Sequence, residues 1–383
     1  MSEFFKQYSP KLRYYADGDI VDRLNNRYTV MAFLMCFFVV AVKIYVGEPI
    51  NCWAPAQFKE IHFEYINSIC WLKGTYYLPT DEITIPDRSK PRINRISYYQ
   101  WTPLILCGMA VFFVLPHHIW RALSHRNGLD IGNLNKLLNN DHIDESKIEK
   151  IKKLIRAKLD LRYQLRKQRC TYRSVSMFFW LHPLTYFYFT TKLLYVANTL
   201  LQLMFLNAFL SLHRDDLGLK TLVNIFQDGE NRFESPQFPR VTMCDFMIRE
   251  LGSNNHWYPS QCNLPINLYN EAIFLGIRLW LIALTILNMF WIVLWLVSLS
   301  FCNRKNSMKK YLQLYQNYES KTSMRQSKRI ELEKGFIEYI NLDGFLVLRL
   351  IGHNTDEFVL IEIIGYLYQN YLGNSDHSEQ SNV

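Results

Sequence analysis

Four stretches of this chain are too long and too evenly apolar to form the half-wet surface of a soluble fold. They cover residues 28–46, 102–120, 178–212 and 271–301. An amphipathic helix would show a polar face at every turn, and these runs do not. About 20 residues rising 1.5 Å each cross the hydrocarbon of a bilayer. The third run is longer than that, so part of it should extend beyond the lipid. A single such run could be a buried core helix, but four of them predict a membrane protein with four transmembrane helices. Lys43 and Arg278 lie near span ends, where long cations reach the headgroups. Residues 1–27 mix five bases with acids and contain no apolar signal core, so the first run reads as a retained anchor. The mean hydropathy of −0.08 shows that sizeable polar loops join the spans.

Charge sets the expected orientation. The chain carries a formal net charge of +9, unevenly spread. Residues 121–182 hold 14 Lys and Arg against 6 acids, whereas residues 213–271 hold 5 against 8. Basic loops stay in the cytoplasm, which places both termini and the 121–182 loop inside. The positive charge is thus a topology signal rather than a nucleic-acid footprint. Tyr98, Tyr99 and Trp101 precede the second span and read as an interfacial aromatic belt. Pro103 falls in its first turn, and Pro116 predicts a kink.

The cysteines point the same way. Cys52 and Cys70 fall in the first outer loop, Cys244 and Cys262 in the second, each pair with 17 residues between. Even numbers in an oxidising compartment imply disulfides, and four cysteines allow three pairings, among which spacing does not choose. A zinc site would need other spacing and a reducing side. No nucleophile elbow or P-loop is present, so neither an enzyme nor a cofactor is expected.

The sequence "YYQW" at Tyr98, Tyr99, Gln100 and Trp101 resembles the signature of the innexins, the invertebrate gap-junction proteins. "CWAPAQFKEIHFEYINSICW", from Cys52 to Trp71, resembles their first outer loop. "DGFLVLRLIGHNTDEFVLIEIIGYL", from Asp343 to Leu367, resembles their cytoplasmic end. The likeness runs from about Ser9 to Leu372, with Thr102 standing where the family usually has valine. It implies an all-α membrane protein: a four-helix transmembrane bundle with disulfide-linked extracellular loops of small β content and a helical cytoplasmic domain. The expected divisions are 1–27, an N-terminal pore funnel; spans at 28–46, 102–120, 183–212 and 272–301; extracellular loops at 47–101 and 213–271; a cytoplasmic loop at 121–182; and a cytoplasmic tail at 302–383. The resemblance further implies that subunits ring a pore, alone or with other innexins. The resulting hemichannel would dock with an opposing one on the adjacent cell, at plasma-membrane junctions among lipids. It pairs the first loop cysteine with the fourth and the second with the third, here Cys52–Cys262 and Cys70–Cys244. An undocked hemichannel releasing solutes, or a non-conducting four-span adhesion or scaffold protein, are the alternatives. No N-x-S/T glycosylation site stands in the way of docking.

Individual parts carry further expectations. The likeness folds Glu3, Phe4, Phe5, Lys6 and Gln7 into the pore mouth, against the plainer reading of a mobile tail. A short helix is expected over residues 54–69. It would put Glu60 and Glu64 on one face, either as a carboxylate ring favouring cations or as a solvated surface. Lys192, Asn198, Gln202 and Asn207 interrupt the third span and should face other helices, a neighbouring subunit or the pore. Residues 144–169 read as a basic amphipathic helix capped by Asp144, with a stripe of Ile148, Ile151, Ile155, Leu159 and Leu165. It suits either packing in a cytoplasmic dome or contact with anionic lipid or a calcium sensor. Asp343-Gly344 reads as a turn and Asn354 or Thr355 as a cap. Disorder is expected from about Asn374.

Overall fold

The computed structural model describes residues 18–54, 58–78, 95–128, 131–138, 145–168, 182–210, 237–249, 252, 254–319, 326–355 and 357–380. Four helices are long and apolar enough to cross a membrane: α1 (Ile20–Tyr45), α3 (Thr102–Arg126), α6 (Pro183–Leu210) and α7 (Pro265–Leu299). Little of their apolar surface is covered. Only 17% of the most apolar window of α1 and 22% of that of α7 is buried. Met35, Phe38, Val42, Ile286, Phe290 and Leu296 all lie exposed, a surface that lipid tolerates and water does not. The fold is that of an all-α membrane protein with a small sheet.

The chain divides into two compact units. One, here the loop unit, comprises Arg27–Val114 and Ala197–Ile286. It contains a five-stranded antiparallel sheet in the order β1-β5-β4-β2-β3. The strands are β1 (Asn51–Cys52), β2 (Thr75–Tyr76), β3 (Arg95–Ile96), β4 (Val241–Arg249) and β5 (Asn255–Asn263). β4 and β5 pair along their whole length, from Val241↔Asn263 to Arg249↔Asn255. Alternation buries Thr242, Cys244 and Phe246 on one face of β4. Helix α2 (Glu60–Lys73) packs there with Ile66 and Cys70. It starts six residues later than the expected 54, and it stops at Gly74, whose φ of +81° suits only a residue without Cβ. Within this unit the long helices touch through Phe33 and Phe113, 5.6 Å between ring centres, and through Trp280, which donates to Thr29.

The other, the tail unit, comprises Met1–Asn26, Leu115–Val196 and Leu287–Val383. It holds α4 (Ile131–Leu138), α5 (Glu145–Gln168), α8 (Phe301–Glu319), α9 (Gln326–Asn354) and α10 (Glu357–Gln380). One apolar core joins them. Ile148, Ile151, Ile155 and Leu159 of α5 meet Leu346, Leu350 and Ile364 of α9 and α10. Leu165 was expected in the same stripe, but it is exposed, because the core ends one turn earlier. Asp343-Gly344 forms no turn. α9 is bent at Asn341, whose φ of +58° breaks the helical path, and it resumes through Asp343. Asn354 and Thr355 do not cap α10; their side chains donate back to the carbonyls of Leu350 and Ile351 and close α9. α10 continues to Gln380, past the expected onset of disorder. Asp144 lies outside the described residues.

Candidate functional site

The loop unit is braced by two covalent links. Cys52 faces Cys262 across the β1–β5 ladder and is joined to it by a disulfide. Cys70 of α2 is joined to Cys244 of β4. The bridges span 210 and 174 residues of sequence. Each therefore ties the first loop to the second rather than closing one loop on itself. The sulfurs of Cys52, Cys70 and Cys262 lie within 4.8 Å of one another, but all are disulfide-bonded and offer no thiolate to a metal.

The residues 98–101 serve this brace. Tyr99 is fully buried and its ring lies 4.6 Å from that of Trp71, next to Cys70. Burial pushes its phenol up to about 12, so it stays neutral. Tyr98 donates to the carbonyl of Gln237 at 2.9 Å and packs edge-on against Phe209 and Phe238. Gln100 donates to the carbonyl of Trp71. Only Trp101 is widely exposed, at 59%. The expected aromatic belt is thus corrected: three of the four residues clamp the loop sheet to the start of α3, and one is left for an interface. Glu60 and Glu64 are exposed on α2, on a face shared with exposed Ile61, Tyr65 and Leu72. Glu3, Phe4, Phe5, Lys6 and Gln7 lie outside the described residues.

Several polar residues of the spans find partners within the subunit. Asn207 accepts a hydrogen bond from Arg278 at 3.0 Å, so this arginine is held by a helix rather than reaching for headgroups. Gln202 donates to the carbonyl of Met109 and to Asn198. Lys43 sits 5.8 Å from the centre of the Tyr269 ring.

Lys192 centres a buried polar cluster in the tail unit. Its ammonium donates to Asp19 and Asp22, at 2.6 Å each. The indole N–H groups of Trp291 and Trp295 also donate to Asp19, at 2.6 and 2.7 Å, and the Tyr188 hydroxyl lies within hydrogen-bond reach of both carboxylates. Asp19 and Asp22 complete the set by capping each other's backbone N–H at the start of α1. One turn on, α1 widens into a π-helix at Leu24–Tyr28. There Asn25 and Asn288 exchange amide hydrogen bonds of 2.7 and 3.1 Å. Two buried carboxylates, one ammonium and neutral donors offset one another, which keeps the burial tolerable. From the sequence, Asp19 and Asp22 fall in the N-terminal pore funnel expected over residues 1–27, and Lys192 is expected to face other helices, a neighbouring subunit or the pore. The missed signal was "DGDIVDR", two acids spaced for a capping box directly before an apolar run.

The sequence matches the Innexin family model over residues 18–371. This chain belongs to the innexin family. It is 30% identical to "Innexin unc-9" of Caenorhabditis elegans, over 97% of this chain and 97% of that relative. It is 32% identical to "Innexin-19" of Caenorhabditis briggsae, over 93% of this chain and 86% of the relative. With "Innexin-17" of Caenorhabditis elegans it shares 36% identity over 72% of this chain. In this innexin, residues 98–101 form the clamp that fastens the disulfide-braced sheet to α3.

Proposed function

We infer that this innexin is a gap-junction channel subunit, a channel protein rather than an enzyme, which assembles in a ring and joins a matching ring on the next cell. The observation that carries the reading is the near-complete family match, from residue 18 to residue 371, over a chain with four apolar helices. The finer assignments follow physically. The extracellular part of the loop unit, its sheet and α2, is the docking surface. Its two interloop disulfides hold it rigid beforehand, which lowers the ordering cost of association. Both termini and the helical tail are cytoplasmic. Glu60 and Glu64 belong to the outer pore region, where repetition around a ring would favour cations.

Two-cell voltage clamp tests the function. Pairs of cells expressing this chain develop junctional conductance, and mock-transfected pairs do not. Dye leakage from single cells with no coupling in any pair would instead make it an undocked hemichannel. Co-expression with another innexin supplies the second subunit if assembly is heteromeric.

A further inference from the structure

The tail unit contains a cavity of about 430 Å³ between the end of α7, the start of α8 and the second half of α9. One wall is apolar: Trp291 and Trp295, with Leu294 and Val297 toward the open side. Both indole N–H groups are already committed to Asp19, so these rings offer the cavity carbon rather than donors. The facing wall is polar. It consists of Arg349 with Asn306 and Ser307. The guanidinium of Arg349 lies 5.7 Å from the centre of the Trp295 ring and makes no ion pair among the described residues. Glu357 lines an adjoining cavity that shares Arg349 and His353, without pairing to the arginine. Burial, reinforced by Arg349, lowers the pKa of His353, so it adds no fixed charge. The first half of α8, which lines the cavity through Asn303, Asn306 and Ser307, also carries Arg304, Lys305, Lys309 and Lys310 and no acid before Glu319.

We propose that this cavity binds a phosphate-bearing anion, supplied by a membrane phospholipid whose chain lies along Leu294 and Val297. A guanidinium with no ion pair among the described residues, flanked by amide and hydroxyl donors, matches phosphate, which takes two parallel N–H bonds from arginine. The volume suits a headgroup. The apolar wall continues into the exposed face of α7 at Val293, Leu296 and Val297, which carries no polar atom for a purely soluble ligand. Basic pockets at the ends of spans take anionic headgroups by this chemistry. The inference rests on reading α7 as a membrane span.

The test uses the full chain in phosphatidylcholine nanodiscs doped with phosphatidic acid, with bound lipid read by native mass spectrometry. The protein retains phosphatidic acid over phosphatidylcholine, Arg349→Gln lowers that retention at least about tenfold, and Arg349→Lys, which keeps the charge but not the paired N–H donors, falls between the two. Val297→Trp, which fills the apolar end and leaves the arginine in place, lowers lipid retention but not binding of glycerol 3-phosphate. Full competition by glycerol 3-phosphate, with no effect of Val297→Trp, supports the anion site but assigns it a soluble source. Equal retention by the wild type and Arg349→Gln overturns the proposal. So does a particle image in which a neighbouring subunit's carboxylate occupies the Arg349 site. Ring assembly and cell coupling are read separately, so a coupling channel without bound phosphate loses this site alone.

Discussion

Asp343 shows how much one side chain can do in this fold. It is almost fully buried, yet it lies 159 residues from the helix it serves. Its carboxylate accepts from the backbone N–H groups of Leu184 and Thr185, at 3.3 and 2.9 Å, and from the Thr185 hydroxyl at 2.6 Å. Those are first-turn amides of α6, which have no partner inside their own helix. Arg162 of α5 completes the pairing. Asp343 therefore acts as an N-cap supplied from another element, and it fastens α5, α6 and α9 together. Asp343→Ala strands a largely buried guanidinium and several donors. It should cost about 3–5 kcal/mol, the usual range for breaking a buried ion pair. Asp343→Asn keeps an acceptor but loses the charge, and should cost less. Thermal melting of the detergent-solubilised protein, followed by size-exclusion chromatography, checks the order wild type, Asn, Ala. Equal melting of the wild type and Ala would mean that the cap carries no stability.

At the scale of elements, the two disulfides lie close enough to exchange. Replacing Cys52 alone leaves the Cys262 thiol beside the Cys70 sulfur, within the 4.8 Å cluster. Attack by the Cys262 thiolate on Cys70 forms a Cys262–Cys70 bond and releases Cys244 as a thiolate. Cys52→Ser should thus scramble the brace, whereas the double change Cys52→Ser with Cys262→Ser removes one bridge, at about 2–5 kcal/mol, and leaves the other intact. Non-reducing peptide mapping should find Cys70 linked to Cys262 in the single variant only, and coupling should fall further in it than in the double variant. The sequence made the spans legible because lipid demands about 20 apolar residues in a row, a signal no neighbour can override. It hid the β4–β5 hairpin, whose strands read Val-Thr-Met-Cys-Asp-Phe and Asn-His-Trp-Tyr-Pro-Ser, half polar and without a tight two-residue turn. It hid the buried place of Tyr99 for a related reason. An aromatic residue before a span has the same sequence whether its ring meets headgroups or Trp71. The reversed roles of Asn354 and Thr355 depend on the end of α9, which local spacing does not fix.

At the scale of the whole molecule, two kinds of physics bear on orientation independently. Lys and Arg exceed acids by 14 to 6 in residues 121–182 and fall below them, 5 to 8, in residues 213–271. By the positive-inside rule, that imbalance predicts a cytoplasmic first segment. The redox argument uses none of those residues. Cys52, Cys70, Cys244 and Cys262 are bonded, and stable bridges belong to an oxidising compartment, which predicts that the segments carrying these four cysteines face outside. With four crossings, both arguments predict that the two termini lie in the cytoplasm. Cys302 is a free, exposed thiol at the start of α8 and reports on this directly. A membrane-impermeant maleimide should leave it unlabelled in intact cells and modify it once the membrane is permeabilised, as judged by peptide mapping of Cys302. A carboxyl-terminal tag should become accessible to antibody at the same step. Labelling of Cys302 in unbroken cells would invert the topology. It would place the bridges in the reducing cytosol, and it would remove the loop unit from the face on which two cells can meet.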